Sequence, residues 1–153
     1  MSLLGLIGWI LVSFAAAAVG GIAARPGAWY ASINKPAWNP PDWVFAPVWT
    51  VLFILMGVAA WLVWSRRGEV PVGLALTLFG IQLVLNTLWS WLFFGWHLPG
   101  AAFAEVLVFW VVILLTLLAF WQIRPLAGAL LVPYLMWVGF ASFLNYTLWR
   151  LNR

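Results

Sequence analysis

Five long apolar runs separated by short joints organise this chain. The first is free of charge from about Leu3 to Ala24, and the others run from about Trp43 to Trp64, Pro71 to Phe94, Gly100 to Gln122 and Leu126 to Trp149. Each approaches the roughly 20 residues with which an α-helix crosses a bilayer core, so the pattern predicts five membrane-spanning helices. No Lys or Arg precedes the first run, and it is longer than the apolar core of a usual signal peptide, which favours a retained helix. The joints "SRRGEVP" (65–71), "GWHLPG" (95–100) and "IRPLAG" (123–128) are short. Short joints make successive helices antiparallel neighbours in one bundle. The segment 25–42 is the long connection, and it is dense in proline and tryptophan.

Composition strengthens that picture. The 153 residues are 67% hydrophobic and 7% charged, against about 25% charged in a typical soluble domain. The expected fold class is therefore all-α: an integral, multi-pass five-helix bundle forming one domain over residues 1–153, with the lipid bilayer as partner; a bacterial membrane is the expected setting, though composition does not bear on which membrane. The absence of cysteine excludes a disulfide scaffold, a thiolate metal site and a cysteine nucleophile. One histidine and no cysteine supply neither the usual axial ligands of a permanent haem nor a zinc set, so no metal and no resident cofactor are expected. The charged side chains are scattered between apolar runs for a net +4, and they form no basic stripe that could track phosphates. Nucleic acid is not an expected partner.

Polar groups within the runs point to where chemistry could sit, because burying them in hydrocarbon is costly. Glu105 has two readings, a carboxylate near a helix N-terminus that snorkels to the headgroups or a group facing a cavity. With no second acid, Lys or Arg inside a run, no proton or ion relay is built, which argues against an ion-coupled pump or an ion channel. Gln82, Asn86, Trp89 and Phe93 recur at spacings of four, three and four, hence on one helical face. Their amides serve either as bonds between helices or as the polar patch of a pocket. Pro133, Trp137, Ala141 and Asn145 repeat every four residues in the fifth run; Pro133 is expected to bend that helix, while Gly139, Ala141 and Ser142 permit close approach. Trp49, Phe53 and Met56 share a face of the second run. Together these faces are expected to enclose a cavity lined by Trp49, Phe53, Asn86, Trp89, Trp137 and Ala141, suited to a flat apolar ligand. Trp29, Trp43, Trp64, Trp96 and Trp149 lie near run ends, as in an interfacial belt. Ala16, Gly20 and Ala24, and Gly73 with Thr77, are candidate contact positions within the bundle or at a dimer seam.

Three stretches, "WYASINKPAWNPPDWVFAPVW", "QLVLNTLWSWLFFG" and "PYLMWVGFASFLNYTLWR", together resemble the TspO/MBR family of tryptophan-rich sensory proteins, translocator proteins and peripheral benzodiazepine receptors, over about residues 20–150. The resemblance implies a five-helix bundle, often a homodimer, with a pocket beneath the first loop that binds porphyrins, haem included, and benzodiazepine-type ligands. Carried over by motif, the pocket positions are Tyr30, Trp49, Phe53, Asn86, Trp89, Trp137 and Ala141. The loop 25–42 then reads as a lid, stiffened by Pro36, Pro40, Pro41 and Pro47, with Trp29, Tyr30 and Trp38 as its apolar underside. Leu144, Tyr146 and Arg150 fit a proposed sterol-contact pattern, whose plain alternative is an interfacial anchor. Two departures stand out: Phe53 where many members have Tyr, and Trp96 with His97 where many carry a basic residue. By resemblance the third run is the expected dimer seam.

These features support three classes of function. The first is a receptor or carrier for porphyrins and related tetrapyrroles, acting in tetrapyrrole or stress regulation. The second is an enzyme that degrades porphyrin in light, with Trp49 and Trp137 as redox-active candidates. The third is a structural membrane protein that only associates.

Overall fold

The computed structural model describes residues 2–24 and 27–153. Its helices are α1 (Leu3–Ala23), α2 (Ala28–Ser32), α3 (Asp42–Trp64), α4 (Gly73–Ser90), α5 (Pro99–Ile123), α6 (Pro125–Leu130) and α7 (Val132–Leu151). No strand occurs among the described residues. Five stretches are long and apolar enough to cross a membrane: α1, α3, α4 with its final turn to Gly95, α5, and α6 with α7. Their ends lie within two residues of those expected from the sequence. The protein is an all-α, multi-pass membrane protein.

Three details differ from expectation. The segment 25–42 is not simply a loop, because α2 occupies its first part; Arg25 and Pro26 lie outside the described residues. After Ser90 the third span widens into a π turn over Trp91–Gly95, in which Trp96 N donates to Trp91 O at 2.7 Å. The fifth span is two helices divided at Leu131, and Pro133 does not bend a continuous helix. It stands instead in the first turn of α7, where a missing N–H costs nothing because that donor has no intrahelical partner anyway. Pro99 and Pro125 open α5 and α6 by the same logic.

The helices form an incomplete ring. Helix α1 packs on α3 and α4, α4 on α5, α5 on α7, and α6 folds back against α5 and α3. No comparable backbone contact joins α3 to α7. Met56, Phe79, Phe109, Ile113, Phe120 and Tyr134 fill the main core, and Phe93, Ala102, Leu144 and Leu148 form a smaller cluster below the lid. At Gly57 the α3 backbone comes so near α1 that an added Cβ would lie 2.8 Å from Ile10 Cα. Indole N–H groups and a hydroxyl find carbonyls on neighbouring helices, as they must where water is absent. Trp61 Nε1 donates to Ser2 O at 2.8 Å, Thr87 Oγ1 to Ala16 O at 3.1 Å, Trp91 Nε1 to Val19 O at 3.1 Å and Trp110 Nε1 to Leu135 O at 3.0 Å. Among the expected belt residues, Trp43 and Trp96 are exposed, while Trp64 lies 3.5 Å beneath the Arg67 guanidinium and Trp149 5.3 Å from that of Arg153.

Candidate functional site

A cavity of about 270 Å³ lies between α1, α3, α4 and α7 beneath α2. Trp49 and Phe53 from α3, Asn86 and Trp89 from α4, Trp137 and Ala141 from α7, and Tyr30 from α2 all line it. They converge because residues three or four apart share a helical face, and three such faces turn inward here. Sequence reasoning missed Phe14, Phe45 and Phe140, which complete the aromatic wall. It also assigned Ala16, Gly20 and Ala24 to helix contact. They line the cavity together with Ala17 and Gly21, so the small residues of α1 leave room for a ligand.

Besides Asp42, Thr50 and Ser90, which also line the cavity, two hydrogen-bonded sets of polar groups lie at or beside it. Tyr134 Oη donates to Gln82 Oε1 at 2.6 Å and accepts from Asn86 Nδ2 at 2.8 Å; all three residues are buried. Trp89 Nε1 donates to Asn145 Oδ1 at 2.9 Å, and Asn145 Nδ2 donates to Pro99 O at 2.8 Å. These bonds tie α4 to α7 and α7 to the start of α5, so the amides join helices while Asn86 and Asn145 also face the cavity. Trp137 is different. Its Nε1 is buried and has no acceptor among the described residues. Its indole stands 6.5 Å from that of Trp49 with the planes at 86°. The sequence did carry a signal for Tyr134: a phenol inside a span needs a hydrogen-bond partner, and it lies three residues before Trp137 on a related face.

The lid is fastened at its edges. Asn34 N donates to Asn152 Oδ1 and Asn152 Nδ2 donates to Asn34 O, each at 2.8 Å. Trp29 stacks on His97 with centroids 4.4 Å apart and planes at 7°, and Trp38 stacks on Phe143 at 5.4 Å. His97 holds a left-handed backbone, φ 56°, in order to present its ring there. Trp29 and Trp38 therefore fasten the lid and do not line the cavity, contrary to the expected apolar underside; Pro36, Pro40 and Pro41 lie outside the lining as well. Tyr30 alone of these reaches inward, and burial pushes its hydroxyl above the ordinary tyrosine pKa, keeping it neutral.

Two further expectations change. Leu144 faces the cavity, whereas Tyr146 packs on Phe103 and accepts a 2.8 Å hydrogen bond from Arg150 Nη1, so the three sterol-pattern residues do not share one surface. The Glu105 carboxylate neither snorkels outward nor lines the cavity: both oxygens are enclosed by protein without a hydrogen-bond partner among the described residues. No group of three His, Cys, Asp or Glu suited to a metal occurs among the described residues.

The TspO/MBR family model matches residues 9–150, a range that contains all five spans in large part and every cavity-lining residue. The chain belongs to the TspO/MBR family. It is 49% identical over 132 residues to the Tryptophan-rich protein TspO of Chlorobaculum tepidum, covering 84% of this chain and 82% of that one. The Translocator protein of Ovis aries is 41% identical, with 82% and 75% covered, and Protein CrtK of Rhodobacter capsulatus 38% identical, with 92% and 89% covered. TspO/MBR membership thus extends over both the lid and the cavity walls.

Proposed function

We propose that this membrane protein is a receptor or carrier that takes a flat, largely apolar ligand of the porphyrin class into the cavity beneath α2, in tetrapyrrole or stress regulation. The observation that carries the reading is Trp137 Nε1, a buried donor left without an acceptor among the described residues, in a cavity walled chiefly by aromatic and small side chains. Buried donors are nearly always satisfied, and a small turn of the indole toward the cavity would let a ligand acceptor such as a carbonyl or carboxylate complete this one. The cavity volume is near the low end of ligand sites, roughly 300–1,000 Å³. A small bicyclic or tricyclic ligand suits that volume better than a full macrocycle, which requires the lid or the Trp137 wall to shift. Relatives named Tryptophan-rich sensory protein and Translocator protein agree with sensing or carriage of a ligand.

Titration of the purified protein with protoporphyrin in detergent tests this. Saturable quenching of tryptophan fluorescence in the dark, with an unchanged porphyrin spectrum after illumination, is the expected result. A protein-dependent new absorbing product in light would instead favour an enzyme using Trp49 and Trp137. Absence of saturation would remove the porphyrin reading.

We further propose a homodimer formed through the outward face of α4, where Leu74, Ile81 and Val84 are exposed and Gly73 and Gly80 face open space. Gly80→Leu is expected to fold normally, because an added Cβ meets nothing within 4 Å. Light scattering should show its mass shifted from dimer toward monomer. A mass equal to that of the parent protein would place any dimer on another face.

A further inference from the structure

We propose that the ligand reaches the cavity from the bilayer, through the seam between α3 and α7, with Trp137 and Phe140 as the partition; this rests on the ligand-binding reading above. Close backbone approach joins each neighbouring pair in the ring of helices except α3 and α7, which meet only through side chains such as Phe45, Trp49, Tyr134 and Trp137. There an outward groove is lined wholly by apolar side chains, among them Val51, Leu55, Met136, Trp137 and Phe140. Trp137 and Phe140 also line the cavity on their inner side. A single layer of two rings thus separates lipid from the ligand site.

Three features favour this route over the lid. Helix α6 packs on α3 and closes one end of the seam, so opening is confined to the stretch beside the cavity. The lid is held by two hydrogen bonds to Asn152 and by the Trp29 and Trp38 stacks. The Trp137 indole, unlike those of Trp61, Trp89, Trp91 and Trp110, has no hydrogen bond resisting rotation, and its ring neighbours include Phe45 at 5.9 Å and Phe140 at 5.6 Å. An apolar ligand is concentrated in the bilayer by the hydrophobic effect, so a membrane-side door meets it where it is abundant.

Covalent links distinguish the two routes. The chain has no cysteine, so Val51→Cys with Met136→Cys spans the groove and Asn34→Cys with Asn152→Cys spans the lid edge, each as the sole thiol pair. Each variant is linked with a bis-maleimide, reconstituted in phosphatidylcholine vesicles, and mixed with vesicles carrying protoporphyrin while tryptophan quenching is followed. The seam link is expected to slow association and dissociation by about tenfold each with the dissociation constant preserved, and the lid link to change them by less than about twofold. A shifted dissociation constant in the seam-linked protein, or slowing by the lid link alone, overturns the proposal. If the unlinked protein shows no saturable quenching, the porphyrin reading fails and the seam is judged with chain-brominated phosphatidylcholine. Quenching that includes a Trp137 share, absent in Trp137→Phe and removed by the seam link, upholds the door; no Trp137 share overturns it.

Discussion

Gly57→Ala is expected to push α1 off α3 and to lower the thermal unfolding midpoint of the detergent-solubilised protein. The new methyl carbon would meet Ile10 Cγ1 at 2.7 Å and Ile10 Cα at 2.8 Å. A side-chain tip can swing aside, but a helix backbone can move only with its helix. Overpacking of this kind costs about 1–3 kcal/mol. The displacement reaches the ligand site as well, because α1 supplies Ala16, Ala17, Gly20 and Gly21 to the cavity and is tied to α4 through the Thr87 bond to Ala16 O. Affinity for protoporphyrin should therefore fall with stability. Gly8→Ala is the control: its Cβ would meet nothing within 4 Å, and alanine favours a helix by up to about 1 kcal/mol over glycine. Melting followed by helical circular dichroism should separate the two variants, and coincident curves would refute the close-approach argument.

Trp137→Phe is expected to weaken ligand binding by about tenfold while leaving the melting temperature unchanged or slightly raised. The substitution keeps a ring against Phe45, Trp49 and Phe140 but deletes the donor. A hydrogen bond to a ligand acceptor contributes about 0.5–1.5 kcal/mol, and removing a buried donor that the unliganded protein leaves unpaired relieves a cost. Trp137→Ala removes the stacking surface too, and a loss of roughly a hundredfold is expected. Trp89→Phe makes the contrast, since its N–H is bonded to Asn145 and its loss should show in stability. Identical isotherms for the parent protein and Trp137→Phe would sink the assignment of that indole as the ligand's donor.

Much of this architecture is legible in the residues because it is local. Spans announce themselves by apolar length, joints by proline and glycine, and the inward faces of α3, α4 and α7 by spacings of three and four. What stayed hidden depends on neighbours distant in sequence. A small residue such as Gly20 permits close helix contact and equally leaves space for a ligand, and only the position of Ser90 and the lid decides between them. Glu105 carries the same carboxylate whether it faces headgroups, cavity or protein. Tyr134 lies off the four-residue repeat of Pro133, Trp137, Ala141 and Asn145, so that spacing does not single it out. The division of the fifth span at Leu131 is absent from hydropathy, since both pieces are apolar, but Pro133 two residues on is its local mark.

The π turn at Trp91–Gly95 gives that segment one residue of slack. A turn closed five residues apart holds one residue more than an α-helical turn. Deleting a single residue there would let the helix close as a regular α turn while the chain beyond it kept nearly its present bearing. Adding a residue to the regular part of α4 has no such outlet: it would turn Phe93 and Phe94 from their bearings on the cavity and carry His97 out from under Trp29. An insertion upstream would thus unfasten the lid from a distance, whereas a deletion within the π turn would leave it shut.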